Sequence, residues 1–304
     1  MVSAKLLTAA LAAALPASAL PNFVKRENAA SPQTITVTIP AQPTETGPAV
    51  YDWTKGGVKE FTIHQSCNAT ERVQLRQGLN EAITVATHAR DHILRFGNSS
   101  EFYRKYFGKA PTGEPIGWLD KLINGDKNGL IFRCDDIDGN CKQDGWGGHW
   151  RGANATSETV ICPLSYATRK PLNAICGFGY TVAGGKLAWT FAGDLIHRAY
   201  HLPLIGQDTV SHYADSYDEC LQLAKTKPEQ AVRNTHSLQY FALDVYAYDI
   251  ALPGVGCTGK PAAAAPAPAP AASSASGTGK AAPSPTKTAG TECHTHDNGD
   301  VHCS

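Results

Sequence analysis

The stretch Asp194-Leu195-Ile196-His197-Arg198-Ala199-Tyr200-His201 decides how the rest of the chain is read. It reads as helix, and on a helix positions i and i+4 lie one above the other on the same face. Two imidazoles placed so can bind one zinc ion at about 2.0–2.1 Å each. The spacing is that of the signature His-Glu-x-x-His, in which the glutamate takes a proton from zinc-bound water. Here Arg198 stands where the glutamate belongs. A guanidinium stays protonated at any biological pH and cannot act as that base. The segment keeps the means to hold a metal and lacks the residue that would make it a peptidase.

The surrounding chain narrows the setting. Its 304 residues, 42% of them hydrophobic, suffice for one sizeable core plus appendages. Lys plus Arg balance Asp plus Glu at 27 each, which argues against nucleic acid as a partner. Residues 1–19 read as a secretory signal: Lys5, an apolar run from Leu6 to Leu15, and Ala17-Ser18-Ala19 as the cleavage site. That run is too short to span a bilayer, so no membrane insertion is expected, and no closing apolar tail signals a lipid anchor. Nine cysteines and the sequons at Asn68, Asn98 and Asn154 fit a secreted, oxidised glycoprotein, extracellular or associated with the cell wall. Nine is odd, so at least one thiol is left over or pairs between chains.

Residues 20–48, rich in Ala, Pro and Thr, read as a propeptide or flexible arm with one strand-like run, Thr34–Ile39. The folded domain is expected over 49–257. Val58–His64 reads as a strand, and Thr70–Phe96 carries the longest helical pattern, stopped by Gly97. His88 and His92 repeat the i, i+4 spacing there; their charged neighbours mark them as an exposed polar face. Ser99 or Ser100 caps a shorter helix through Phe107. The middle, Gly108–Gly185, is dense in Gly, Trp and Cys, with strand-like runs at 130–134 and 159–162. Asp135–Asn140 resembles a calcium-loop fragment but lacks the downstream glutamate, and reads as a turn. In Trp146-Gly147-Gly148-His149-Trp150, a structural histidine is the simpler reading than a ligand. His236–Ile250 reads as a core helix behind the metal helix, with no part in the chemistry.

Residues 258–290 are nearly all Ala, Pro, Ser, Thr, Gly and Lys. Such a composition cannot bury enough apolar surface to offset its ordering entropy, and reads as a disordered linker. Residues 291–304 change character. Cys293, His294, His296, His302 and Cys303 form a metal-binding composition around the turn signal Asn298-Gly299. Either Cys293 and Cys303 form a disulfide and the three histidines are the ligands, or the thiolates themselves bind zinc or copper.

Four motifs stand in one order: His197-Arg198-x-x-His201, the run Trp146–Thr156, His212-Tyr213-Ala214-Asp215-x-Tyr217-Asp218-Glu219, and the terminal Cys-His-x-His…His-Cys. Together they resemble the fungal zincophore family, which includes pH-regulated antigens and a major mould allergen. The resemblance runs from about Tyr51 to Cys257 and resumes at the tail. More distantly, the chain is similar to deuterolysin-type zinc peptidases, whose third ligand, an aspartate, lies eleven residues after the second motif histidine. That offset reaches His212. The resemblance thus implies an α+β, mainly helical, zincin-like domain with a metal site of His197, His201 and His212. Asp194 is the expected hydrogen-bond acceptor that orients an imidazole, and Arg198 is expected to pair with Asp215, Asp218 or Glu219. The implied disulfides are Cys67–Cys134, Cys141–Cys162 and Cys176–Cys257, with Cys293–Cys303 in the tail and Cys220 left over.

The implied function is capture of extracellular zinc by a protein that is also an antigen, handing the ion to a cell-surface zinc transporter or receptor and meeting host proteins. Two other readings compete: an active zinc peptidase that borrows Glu219 or Asp215 as base, and a host- or cell-wall-binding protein in which zinc is structural. Imidazole binds zinc only when unprotonated, and its reference pKa is about 6.5. Zinc affinity, titrated from mildly alkaline to mildly acidic pH, should therefore hold above that value and fall steeply below it; a flat profile contradicts a histidine site.

Overall fold

The computed structural model describes residues 55–260, and the backbone of two short strands at 293–295 and 301–303. The expected signal, the arm with its strand at 34–39, the linker from 261 onward and His296 lie outside the described residues.

Helix α1 (Ala69–Phe96) is the spine. Asn68 accepts the Glu71 N–H while Glu71 accepts the Asn68 N–H, so two donors exposed by the helix start are satisfied locally. Strand β1 (Thr62–Ile63) precedes it, and α2 (Glu101–Phe107) follows, capped by Ser100. Helix α3 (Gly113–Asn124) then buries Trp118, Leu119 and Leu122. Its glycines at 113 and 117 mask an apolar period of three and four, and the sequence reading had no helix there.

A small sheet comes next: β2 (Ile131–Arg133), β3 (Gly148–Trp150) and β4 (Glu158–Ile161), in the order β1-β2-β4-β3. The first three in that order run parallel, and β3 is the antiparallel edge. The Asp135–Asn140 run is a turn, as its sequence predicts, closed by the Gly139 N–H on the Asp136 carbonyl. The described domain is completed by α4 (Pro163–Thr168), α5 (Phe191–Tyr200), α6 (Pro203–Gly206), α7 (Tyr217–Thr226), α8 (Pro228–Ala231) and α9 (Thr235–Tyr246). The architecture is mainly helical with a small sheet. In the tail, β5 (Cys293–Thr295) and β6 (Val301–Cys303) pair antiparallel, with Cys293 opposite Cys303 and His294 opposite His302.

Helix α1 lies against α3, α5 and α9. Gly78 sets its approach to α5: a Cβ there would stand 2.8 Å from Leu195 Cδ1 and 3.1 Å from the Phe191 ring. The disulfides Cys67–Cys134, Cys141–Cys162 and Cys176–Cys257 are formed, the pairings that the resemblance implies. The first ties the start of α1 to the end of β2.

His88 and His92 do not form an exposed face. His92 is buried, and both rings bond one Asp249 carboxylate oxygen, at 2.9 and 3.0 Å. His92 Nε2 also meets Ser100 Oγ at 2.8 Å. Asp249 comes from the helical turn after α9, so only the tertiary fold supplies the partner that takes these histidines inward.

Candidate metal centre

Every residue of α5 is buried. Thr190 starts the helix by accepting the Gly193 N–H. Three of its side chains, Asp194, His197 and Arg198, are ionised or ionisable near neutral pH, and such buried groups need partners in the protein. Arg198, only 2% exposed, pairs with Asp194 one turn earlier at 3.0 Å. Asp194 also accepts from Ser165 Oγ at 3.0 Å and from Arg169 Nε at 3.3 Å. Burial pushes its carboxyl pKa up, but the two guanidinium charges and these hydrogen bonds more than offset it and hold the group below the usual carboxylate range. Asp194 therefore does not orient an imidazole, and Arg198 does not pair with Asp215, Asp218 or Glu219, as the sequence reading expected. The same crowding explains the Gly147-Gly148 pair. A Cβ at Gly148 would collide with the Val160 carbonyl oxygen and stand 2.6 Å from Arg198 Nη1, and one at Gly147 would stand 2.7 Å from Arg169 Nη2 and 2.8 Å from Ser165 Oγ.

His197 and His201 share the other side of α5, and His212 reaches them from the segment before α7. That segment is pinned: Ser211 and Thr235 exchange backbone bonds with Arg233 and Ser211, and Asn234 Oδ1 accepts the N–H groups of Tyr213 and Ala214. His197 Nε2 lies 3.0 Å from His201 Nε2, which lies 3.3 Å from His212 Nε2. The sequence-predicted trio thus meets at one point.

The outer nitrogens are committed elsewhere. Gln239 donates to the Gly193 carbonyl at 2.8 Å, which turns its Oε1 toward His197 Nδ1 at 3.2 Å. His212 Nδ1 meets Asp215 Oδ1 at 2.8 Å. Each acceptor places the proton on Nδ1 and leaves the Nε2 lone pair facing inward, the arrangement that orients metal-binding histidines. Asp215 thus holds His212 from behind.

These residues fit a metal ion. Four ligands at about 2.0–2.1 Å in a tetrahedron stand about 3.3–3.4 Å apart, close to the two spacings found. Lone pairs facing each other at 3.0 Å repel unless a proton or cation lies between them.

Helix α9 enters the site, which corrects its reading as inert core. Besides Gln239 it brings His236, whose ring lies 5.2 Å from that of His197 and 5.0 Å from that of His212. His236 Nδ1 donates to the Asp215 carbonyl at 2.6 Å. The available signal was a polar i, i+3 pair, His236 and Gln239, on a largely apolar helix. Glu219 is no spare base: it accepts the Ser216 and Asp215 N–H groups as a helix cap, which holds its carboxyl below the usual range. Cys220 is free and buried, its thiol pushed up to about 12 by burial, and is inert as expected. Asn68, Asn98 and Asn154 are all exposed. No helix among the described residues is long and apolar enough to cross a membrane.

Residues 8–260 match the family model described as "HRXXH: Putative peptidase family". The chain belongs to the HRXXH family. It is 55% identical over 224 residues to the major allergen Asp f 2 of Aspergillus fumigatus, covering 74% of this chain and 72% of that protein. It is 50% identical over 231 residues to the pH-regulated antigen PRA1 of Candida albicans, covering 76% of each. A zinc peptidase from Grifola frondosa is similar in structure, with a TM-score of 0.45 at 15% identity, covering 59% of this chain and 97% of that one.

Arg198→Glu, the change that writes the peptidase signature back into this HRXXH chain, should not restore hydrolysis. It sets a second carboxylate beside Asp194, and disrupting a buried pair costs about 3–5 kcal/mol, readable in denaturant unfolding. Gln239→Leu should leave the fold intact and weaken metal binding by about 10–100-fold, the usual effect of losing a ligand's outer hydrogen bond.

Proposed function

We propose that the protein is secreted and captures zinc at His197, His201 and His212 without hydrolysing peptides. The observation that carries this reading is the division of labour on α5. Its histidines converge at ligand spacing, while the residue in the base position is turned into a salt bridge with Asp194. Zinc is cargo here. Three neutral imidazoles hold it, and Asp215 and Gln239 keep their Nε2 atoms aimed inward. Neither nearby carboxylate is placed as that base: Asp215 holds His212, and Glu219 caps α7.

The tail histidines His294, His296 and His302 are a further zinc-binding segment in this reading. A cell-surface zinc transporter or receptor would take the loaded protein, and contact with host proteins fits relatives named as an allergen and an antigen.

The test is metal content of the secreted full chain by plasma mass spectrometry, beside a chelator-controlled protease assay. The expected result is bound zinc and no cleavage. Replacing His197, His201 and His212 by alanine should remove domain zinc, and replacing His294, His296 and His302 together should lower the number of ions bound. Cleavage that chelator abolishes would make the protein a peptidase after all.

A further inference from the structure

Far less of the molecule's chemistry is explained around His149. This side chain is 2% exposed, on edge strand β3. Its Nε2 meets Asp138 Oδ2 at 3.2 Å, and Asp138 is held in turn by Arg151 at 2.8 Å. The carboxylate therefore accepts a hydrogen bond from Nε2–H, and Nδ1 carries the lone pair. That nitrogen is buried without a hydrogen-bond partner, which leaves a polar atom out of water with nothing in exchange. Burial also holds the ring's pKa below its ordinary value, against the pull of Asp138, so the imidazole stays neutral.

The sulfurs of Cys141 and Cys162 and one ring nitrogen of His149 lie within 4.8 Å of one another. Today the two cysteines are a disulfide. With Nε2 engaged by Asp138, Nδ1 is the nitrogen left to face them. Asp136 holds the Cys141 backbone, its Oδ2 accepting the Cys141 N–H at 3.0 Å, and its Oδ1 is a second buried atom without a partner. Two sulfurs and an imidazole lone pair supply three donors of a zinc-type set once the sulfurs are thiolates. The Asp138–His149 bond is the outer contact that such a ligand ordinarily has.

We infer that Cys141, Cys162 and His149 form a second, redox-gated zinc site, closed while the disulfide stands and opened when a dithiol reduces it. In that step the S–S bond breaks, two electrons and two protons pass from the dithiol to the two sulfurs, and the dithiol becomes a disulfide. Zinc then binds the two thiolates with release of both protons. Cys162 is fully buried, whereas Cys141 is half-buried and lies on the outer side of the bridge. Thiolates on one zinc stand about 3.8 Å apart, so a sulfur must shift by about 2 Å from its bonded position. Cys141 sits in a short helical turn, Asn140–Lys142, between Gly139 and Gly145, both at positive φ. Backbone without a Cβ at both ends of that segment can take up such a shift. This site shares no ligand with the histidine trio, so it stands or falls separately from zinc capture there.

The full chain should be treated with a phosphine or dithiol under native conditions, then titrated with Co2+ and Zn2+. The reduced protein should bind one more ion than the oxidised one and show a thiolate-to-cobalt charge-transfer band. Zn2+ should erase the band and shield Cys141 and Cys162 from alkylation, as mapped by peptide mass spectrometry. His149→Ala should weaken the extra ion strongly, and Asp138→Asn should weaken it by about 10–100-fold, with the band kept at saturation. The inference is overturned if no band forms, or if the band survives in a chain carrying both Cys141→Ser and Cys162→Ser. It also fails if the bridge resists reduction until near-ultraviolet dichroism shows the fold is lost.

Discussion

The enclosure of α5 is the constraint on which the rest of the structure depends. A helix covered on all sides cannot leave a charged or imidazole group to water, so Asp194, His197 and Arg198 each dictate a neighbour. Asp194 and Arg198 pair with each other and recruit Arg169 and Ser165. Arg198, Arg169, Ser165 and the Val160 carbonyl together leave no room for side chains at positions 147 and 148, where the edge strand starts. His197 requires an acceptor on Nδ1, and Gln239 is held in place by the Gly193 carbonyl of α5 itself. The helix, the sheet edge and α9 are thus fitted to one another by hydrogen-bond satisfaction as much as by apolar packing.

That fitting separates the two sides of a familiar motif. In a peptidase the residue after the first histidine must act on bound water, and so must stay proton-accepting and accessible to it. In this chain the same position is a cation neutralised by its own helix, while the flanking histidines keep their inward geometry. Binding and base catalysis are distinct demands, and they fall on different side chains of the motif. A trio of neutral imidazoles also leaves the full charge of a divalent ion uncompensated by its ligands. The Asp215 carboxylate acts at one remove, through His212.

Much of this was legible in the residues. The long helix announces itself through its apolar period and Asn68 cap, and the i, i+4 histidines place two imidazoles on one face by helical geometry alone. The third histidine and the disulfide pairings came from resemblance, since spacing along the chain does not say which distant segments meet. The misreadings share a cause. The charged sequence neighbours of His88 and His92 point them outward, yet Asp249, distant in the sequence, supplies the acceptor that lets them turn inward. Helix α3 was hidden by glycines that its packing tolerates. Asp194 was assigned to an imidazole one turn away, when a guanidinium on its own helix makes the stronger, charge-assisted bond.

The sequence by itself determined the local matters: which segments are helical, that an arginine replaces the base, and that two imidazoles can share an ion. Only the tertiary structure decided which way Arg198 turns, that His212 completes the trio, that α9 contributes His236 and Gln239, and that His149 faces the Cys141–Cys162 bridge. The physical reason is the same in each case. Local structure follows from backbone sterics and short-range hydrogen bonds, whereas the partner of a buried polar side chain is whatever donor or acceptor the packing of distant segments brings within about 3 Å.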